Sequence, residues 1–292
     1  MVGICSYGGY VPRYRLNRGL IVQAMAWMNP IIMAHAQGEK AVANCDEDPI
    51  TMAVAAGIDA LKGVDLSTIE GVYFASTTMP YTERLNAGII TTALNVNEQV
   101  RAADFGGGLK AGTTALLSAL ESVKTKWVNN IVVTSADCRL GKAATTQEMV
   151  FGDAAAAFLV GNEDVIAEFK GSYSVTYDFA DHMRAYSAEH DRQWEERWIR
   201  DMGYTDFIPE VINGLLDKYK LKISDFSKVI YPCNNRGGRK KINGKLEISP
   251  EAEQSSLQAE IGDSGTSLPL VMLAHALEDA KPGDKILVTS YG

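Results

Sequence analysis

Apolar residues recur along this chain with two different periods. Short apolar runs at 3–7, 71–75, 130–135, 154–160 and 165–174 predict strands. Over 48–61 the period is helical, with Ile50, Ala53, Val54, Ile58 and Leu61 on one face. Residues 46–48 supply acidic groups that cap this helix and suit its positive end. A second helix is predicted over 86–94, and a third over 110–126, after the turn Gly106-Gly107-Gly108. The rhythm then resumes: helix 207–219, strand 228–232, helix 268–280, strand 285–290. Strands alternating with helices predict an α/β fold whose two halves share a rhythm without a residue-level repeat.

Two stretches depart from that rhythm. Residues 20–33 have amphipathic spacing but contain Gln23, Asn29 and Pro30, and are too short to cross a bilayer. Residues 181–201 are highly charged and carry Trp194 and Trp198, predicting an inserted helical lid or interface element.

Composition then narrows the classes. The 292 residues are 46% hydrophobic, enough for two half-domains and a substantial core. A net charge of −8 argues against nucleic acid as a partner. The N-terminus has no basic and apolar leader pattern. Cys5, Cys45, Cys138 and Cys233 form no Cys-x-x-Cys pair, and the four histidines are scattered. The expectation is a cytoplasmic protein with reduced thiols, no metal site and no membrane segment.

Several phrases then fall in order along nearly the whole chain. They are Gly3-Ile-Cys-Ser-Tyr-Gly-Gly-Tyr-Val-Pro-Arg, Asp46-Glu-Asp-Pro-Ile-Thr-Met-Ala, Lys110-Ala-Gly-Thr, Ser135-Ala-Asp, Phe151-Gly-Asp-Ala-Ala-Ala-Ala-Phe and Lys281-Pro-Gly-Asp-Lys-Ile-Leu-Val-Thr-Ser-Tyr-Gly. Together they resemble the hydroxymethylglutaryl-CoA (HMG-CoA) synthase and ketoacyl-ACP synthase III branch of the thiolase superfamily. The resemblance implies a thiolase fold, two pseudo-repeated halves in a five-layer αβαβα sandwich. It implies an N-terminal dimerising half over 1–165 and a C-terminal half over 166–292, with the helical insertion at about 181–205. Relatives continue past the position of Gly292 into a Gly-rich turn and a last antiparallel strand, so the second half is expected to lack that strand.

The chemistry-bearing positions depart from the family pattern. Where the family has a nucleophilic Cys before Lys-Ala-Gly-Thr, this chain has Leu109, which can neither ionise nor form a thioester. The acid/base Glu position holds Thr77, and the His position holds Pro232. By the family mechanism no catalytic residue remains. Cys138, after a buried strand, reads as a packed thiol, and Cys233 as a possible pocket residue with no base beside it.

The resemblance is closest in form to the nucleophile-lacking subunit of diacetylphloroglucinol-type acyltransferase complexes. Pro80-Tyr81-Thr82-Glu83-Arg84 and Gly262-Asp263-Ser264-Gly265 fit that form. It implies a homo- or heterodimer with thiolase-like chains, a catalytic thiolase homologue and a small zinc-ribbon/OB-fold protein as partners, and an isolated chain that is inactive. No cofactor is expected to be tightly bound; a coenzyme A thioester is the expected substrate. The basic run Arg236, Arg239, Lys240 and Lys241 either grips the phosphates of such a substrate or forms a solvated loop.

Smaller features have plainer readings. Gly106-Gly107-Gly108 reads as close backbone approach rather than a phosphate cradle. His275 reads as a core or interface residue, Asp137 and Glu148 as loop holders, and Asp153 as a backbone cap. Two alternative functions stand beside the silent subunit. One is a Cys-independent aldolase or retro-Claisen lyase on acyl-CoA, using Tyr81, Cys233, Asn235 and Asp263. The other is a plain HMG-CoA synthase, which Leu109 disfavours.

Overall fold

The alternation within the predicted strands resolves into the two faces of one sheet. The computed structural model describes residues 1–185 and 187–292. The first elements are β1 (Gly3–Tyr10), β2 (Tyr14–Asn17), α1 (Arg18–Met25), β3 (Glu39–Val42), α2 (Pro49–Ala60), β4 (Gly71–Ala75) and α3 (Asn86–Ala93). Next come β5 (Arg101–Phe105), α4 (Ala111–Lys124), β6 (Ile131–Asp137), α5 (Thr146–Val150), β7 (Ala154–Gly161) and β8 (Ala167–Glu168). The remainder is β9 (His182–Met183), β10 (Arg192–Gln193), α6 (Glu196–Trp198), α7 (Thr205–Tyr219), β11 (Lys228–Ile230), α8 (Arg236–Leu246), α9 (Leu268–Glu278) and β12 (Ile286–Val288).

Six strands form a mixed sheet in the order β5-β4-β6-β7-β1-β8. β5, β4 and β6 are parallel, whereas β7 runs antiparallel to both β6 and β1. Val72, Phe74, Val132, Ala136, Ala155, Ala157 and Leu159 point to one face and pack under α2 and α3. Tyr73, Ala75, Ile131, Val133, Ala154, Ala156 and Phe158 point to the other and meet α4 and α9. The period-2 alternation therefore gives both faces of the sheet an apolar surface. The other side of α9 touches the parallel pair β11–β12. Beyond that pair, Ile208, Ile212, Leu216, Ile242 and Leu246 of α7 and α8 close a third core over Val229, Tyr231 and Leu287. The order is helix, sheet, helix, sheet, helix, the five-layer arrangement expected of the thiolase fold.

The start of α2 follows from its sequence. Asp48 accepts from the Thr51 amide, the Thr51 hydroxyl accepts in return from the Asp48 amide, and Pro49 occupies the first turn. Elsewhere the expected elements change. The 20–33 pattern does not give one helix: α1 ends at Met25, and a 3₁₀ turn, Pro30–His35, follows with Asn29 as its cap. Pro30 lacks an amide donor and disfavours helix at the residue before it. The strand expected over 165–174 shrinks to β8, two residues on the sheet edge.

The largest difference lies in the helical insertion expected at about 181–205. It begins as the antiparallel pair β9–β10, and helix starts only at Glu196. Trp194 therefore precedes the helix, and the two tryptophans do not form one helical stripe. Trp198 stacks on Phe179 with ring centroids 4.1 Å apart, while Trp194 is 63% exposed.

Candidate functional site

The carboxyl ends of parallel strands collect loops that no sheet hydrogen bond constrains, which is where open α/β sheets bind ligands. Here the chain leaving β5 (Leu109), β6 (Arg139), β11 (Asn234) and β12 (Tyr291) converges on one region, to whose edge Thr77 after β4 is tied through Asp137. A cavity of about 50 Å³ lies there, with Leu109, Arg139, His182, Asn234, Asn235 and Asp263 in its wall. A smaller one of about 20 Å³ lies against Leu109, Pro232, Cys233 and Tyr291. Leu109 thus presents an alkyl group where α4 begins. The backbone of Gly292 packs on it: a Cβ added at Gly292 would stand 2.6 Å from the Leu109 Cβ.

The polar wall is built around two buried charges. Asp137, at the end of β6, is fully buried and accepts from the Ser76 hydroxyl (2.8 Å), the Thr77 amide (2.6 Å) and the Thr266 amide (2.8 Å). The hydroxyls of Thr77 and Thr78 add bonds of 3.0 Å each. The Thr77 side chain is therefore committed to Asp137. Two residues on, the Arg139 guanidinium is 2.8 Å from an Asp263 carboxylate oxygen and 3.8 Å from Asp191, and it lies 3.9 Å over the Phe151 ring. Burial alone would favour its neutral form, but Asp263, Asp137 and Asp191 outweigh burial and hold its proton. Gly265 makes this closeness possible. Its φ is +63°, and a Cβ there would sit 2.5 Å from Asp137 and 2.9 Å from Arg139.

The β9–β10 hairpin closes the cavity from the side. Arg184 pairs with Asp191 at 2.9 Å and donates to the Thr77 carbonyl. Gln193 accepts from Gln147 of α5 at 2.7 Å. Asp181 accepts from both the amide (2.6 Å) and Nδ1 (2.8 Å) of His182.

The remaining residues singled out from sequence fall in different places. Cys233 is buried, and burial pushes its thiol up to about 11, so it is a protonated packing group rather than a nucleophile. Burial likewise pushes the Cys138 thiol up, with Asp153 and Asp137 adding to the effect. Asn235 caps α8 by accepting from the Gly238 amide at 2.8 Å and also borders the larger cavity. Asp263 borders both cavities and serves Arg139. Tyr81 is not brought to either: it is 45% exposed, with the Arg84 guanidinium 4.9 Å over its ring.

The basic run is not a loop; it forms the first turns of α8. Arg239 is used internally, bonded to Glu253 at 2.6 Å, to the Gln254 carbonyl at 3.0 Å and over the Tyr231 ring. That leaves it no donor fork for a phosphate. Lys241 pairs with Asp201 at 2.8 Å, Arg236 donates to the Gln37 side chain at 3.1 Å, and Lys240 stands exposed. Asp153 accepts from the Ala43 amide at 2.8 Å, and Glu148 from the Ala144 amide at 2.6 Å. His275 is half exposed near Glu278.

The sequence reading missed Arg139, Asp191 and the Asp181–His182 pair. Arg139 carried a usable signal, a cationic side chain two residues past the end of β6, whose first residues are an apolar run. Asp191 and Asp181 carried none, because a hairpin of two-residue strands has no periodicity to read. Among the described residues there is no helix long and apolar enough to cross a membrane, and no cluster of His, Cys, Asp or Glu that could hold a metal.

No family model matches the chain. It is similar to the HMG-CoA synthase of Caldivirga maquilingensis, 30% identical over 297 residues that cover all of this chain and 84% of that protein. The HMG-CoA synthase of Thermococcus gammatolerans is 31% identical over 296 residues, covering all of this chain and 83% of that enzyme. Among solved structures, β-ketoacyl-(acyl carrier protein) synthase III from Thermus thermophilus superposes with a TM-score of 0.85 at 18% identity, covering 99% of this chain and 95% of that one. An HMG-CoA synthase complexed with CoA gives 0.84 at 18% identity, covering 98% and 77%.

Proposed function

The chain belongs to the hydroxymethylglutaryl-CoA synthase family, and from that premise we propose that it is a companion subunit without a covalent catalytic residue. It serves a multi-subunit thiolase or acyltransferase complex that makes or breaks carbon–carbon bonds of acyl-CoA compounds. Leu109 carries the reading. A thioester intermediate needs a thiolate where α4 begins, and an alkyl side chain forms none. The other two family positions agree, since Thr77 is bonded to Asp137 and Pro232 has no proton to exchange. The catalytic partner is then a thiolase-like chain with its own cysteine, accompanied by a small zinc-ribbon/OB-fold protein.

The test is to express the chain with a tag, isolate it with whatever co-purifies, and incubate both the isolate and the chain alone with radiolabelled acetyl-CoA. Label is expected on a partner chain and absent from this one, with condensation or cleavage only in the assembled isolate. Label retained on this chain would instead assign it the activity of a plain synthase.

A second reading has one observation in its favour. The larger cavity keeps a wall of polar groups over Leu109, including His182, Asn234 and Asp263. Acid–base chemistry on an acyl-CoA, as in an aldolase or retro-Claisen lyase, needs such groups and no nucleophile.

A further inference from the structure

The Asp181–His182 pair is unusual among the cavity groups because its geometry is that of an oriented base. The His182 Nδ1 lies 2.8 Å from Asp181 Oδ1, and Asp181 is only 8% exposed. A buried carboxylate at that distance holds the proton on Nδ1 and leaves the Nε2 lone pair outward. Among the described residues nothing hydrogen-bonds Nε2. The carboxylate is itself fixed: the His182 amide donates to it, and the Trp194 amide donates to the Asp181 carbonyl at 2.8 Å. The hairpin that carries the pair is pinned to the rest of the fold by Arg184 donating to the Thr77 carbonyl and Gln147 donating to Gln193. His182 shares the cavity with Leu109, behind which α4 begins. His35 is also in the wall, but no carboxylate within hydrogen-bond distance orients it.

We propose that His182, oriented by Asp181, is an acid–base residue of this cavity and removes the α-proton of a short-chain acyl-CoA thioester seated over Leu109. This rests on the second reading above, acid–base chemistry on acyl-CoA. In the step, the Cα–H bond breaks and the proton moves to Nε2. The bonding pair becomes the carbon–carbon π bond of the enolate, and the carbonyl π pair moves to the thioester oxygen. The imidazolium is balanced by Asp181, and the positive end of α4 favours the enolate charge. Return of a proton from His182 restores the thioester, so no oxidant or second substrate is consumed. The cavity has room for about three or four water-sized groups, which fits an acetyl but not a long acyl chain.

The reaction is readable without any partner as exchange of the acetyl-CoA methyl protons for deuterium in D₂O, followed by proton NMR. Binding of acetyl-CoA is measured in parallel by calorimetry. Wild-type chain is expected to catalyse exchange. His182→Ala is expected to lower its rate by about 10²–10⁴-fold at unchanged acetyl-CoA affinity. Asp181→Asn is expected to slow it as well, and added imidazole to restore part of the rate to His182→Ala only. Imidazole rescue separates a proton-transfer role from a structural one, and a thermal melt of His182→Gln checks that the hairpin stays folded. Undiminished exchange in His182→Ala overturns the proposal. Binding without exchange in wild type overturns it while leaving the acyl-CoA reading intact. Absence of binding overturns both.

Discussion

Two sets of residues around the paired cavities differ in what holds them. The floor set, Leu109, Thr77 and Pro232, carries no ionisable side chain. The wall set, Asp137, Arg139, Asp191 and Asp263, is a dense and buried ionic network in which the Arg139 Nε alone of that side chain's nitrogens is left without a near partner. Replacing a floor residue removes chemistry but little packing, since each substitute is a neutral group of modest size. Replacing a wall residue strands a charge in the interior. The contrast explains how the floor positions can vary while the wall keeps the fold.

The sharpest break of that contrast is Arg139→Met. It leaves Asp263 and Asp191 buried without their cation, and a loss of about 3–5 kcal/mol is expected in urea unfolding. A loss below about 1 kcal/mol would mean the network is decorative.

Asp153, at the edge of the wall, gives the next effect with the opposite sign. Burial raises its carboxyl from 3.8 to about 6. The charged form is therefore penalised in the folded state above pH 6, and stability from this group increases as pH falls from 7 toward 4. Asp153→Asn keeps the acceptor for the Ala43 amide and removes the penalty. At pH 7.5 it is expected to stabilise by up to about 3 kcal/mol, and at pH 4 by nearly nothing. Melting curves of both proteins at the two pH values decide this, and a gain that does not shrink on acidification contradicts it.

Leu109→Cys probes the floor. It is expected to cost only about 1 kcal/mol, because the site is half buried. The new thiol is expected to react with iodoacetamide faster than Cys138 or Cys233, whose thiols burial holds protonated. Condensation also needs acid–base groups beyond the proposed His182 base, to load and release an acyl group at the new thiol, and Thr77 and Pro232 supply none, so turnover is still not expected. Robust condensation by this single variant would show that the floor lacks one residue, not three.

The smallest effect belongs to the basic helix. Lys240→Ala is expected to change stability by less than about 0.5 kcal/mol, and calorimetry with free CoA reads whether its charge touches a phosphate. Arg239→Ala, by contrast, is expected to register as stability, because it removes the partner of Glu253.

Much of the fold was legible because the long elements carry strong periodicity. The β4, β6 and β7 runs and the α2 and α4 faces are long enough for the period to declare itself. The cap at Asp48 and the three floor positions were readable for a different reason, since each sits inside a recognisable phrase. The wall was not readable. Asp137, Arg139, Asp191 and Asp263 are separated by up to 126 positions, and only the convergence of strand ends brings them together. The β9–β10 hairpin is not legible because the charges of 181–201 and the tryptophans that follow it, Trp194 and Trp198, mimic an amphipathic helix, and two-residue strands are too short to contradict it. The run at Arg236 was read as a loop because its two glycines mask the helical spacing of Arg239, Ile242 and Leu246.

The wall also sets an order of events for a chain that is made from one end. Asp137 and Arg139 leave the ribosome well before Asp263, Gly265 and Thr266, on which their neutralisation depends. Until those residues arrive, two charges at the carboxyl end of β6 have incomplete partners, and α9, which covers one face of the sheet, does not yet exist. The early half is thus expected to reach its final packing at that end of the sheet only when the 263–267 turn docks, which ties the two halves together through that turn as well as through their strands.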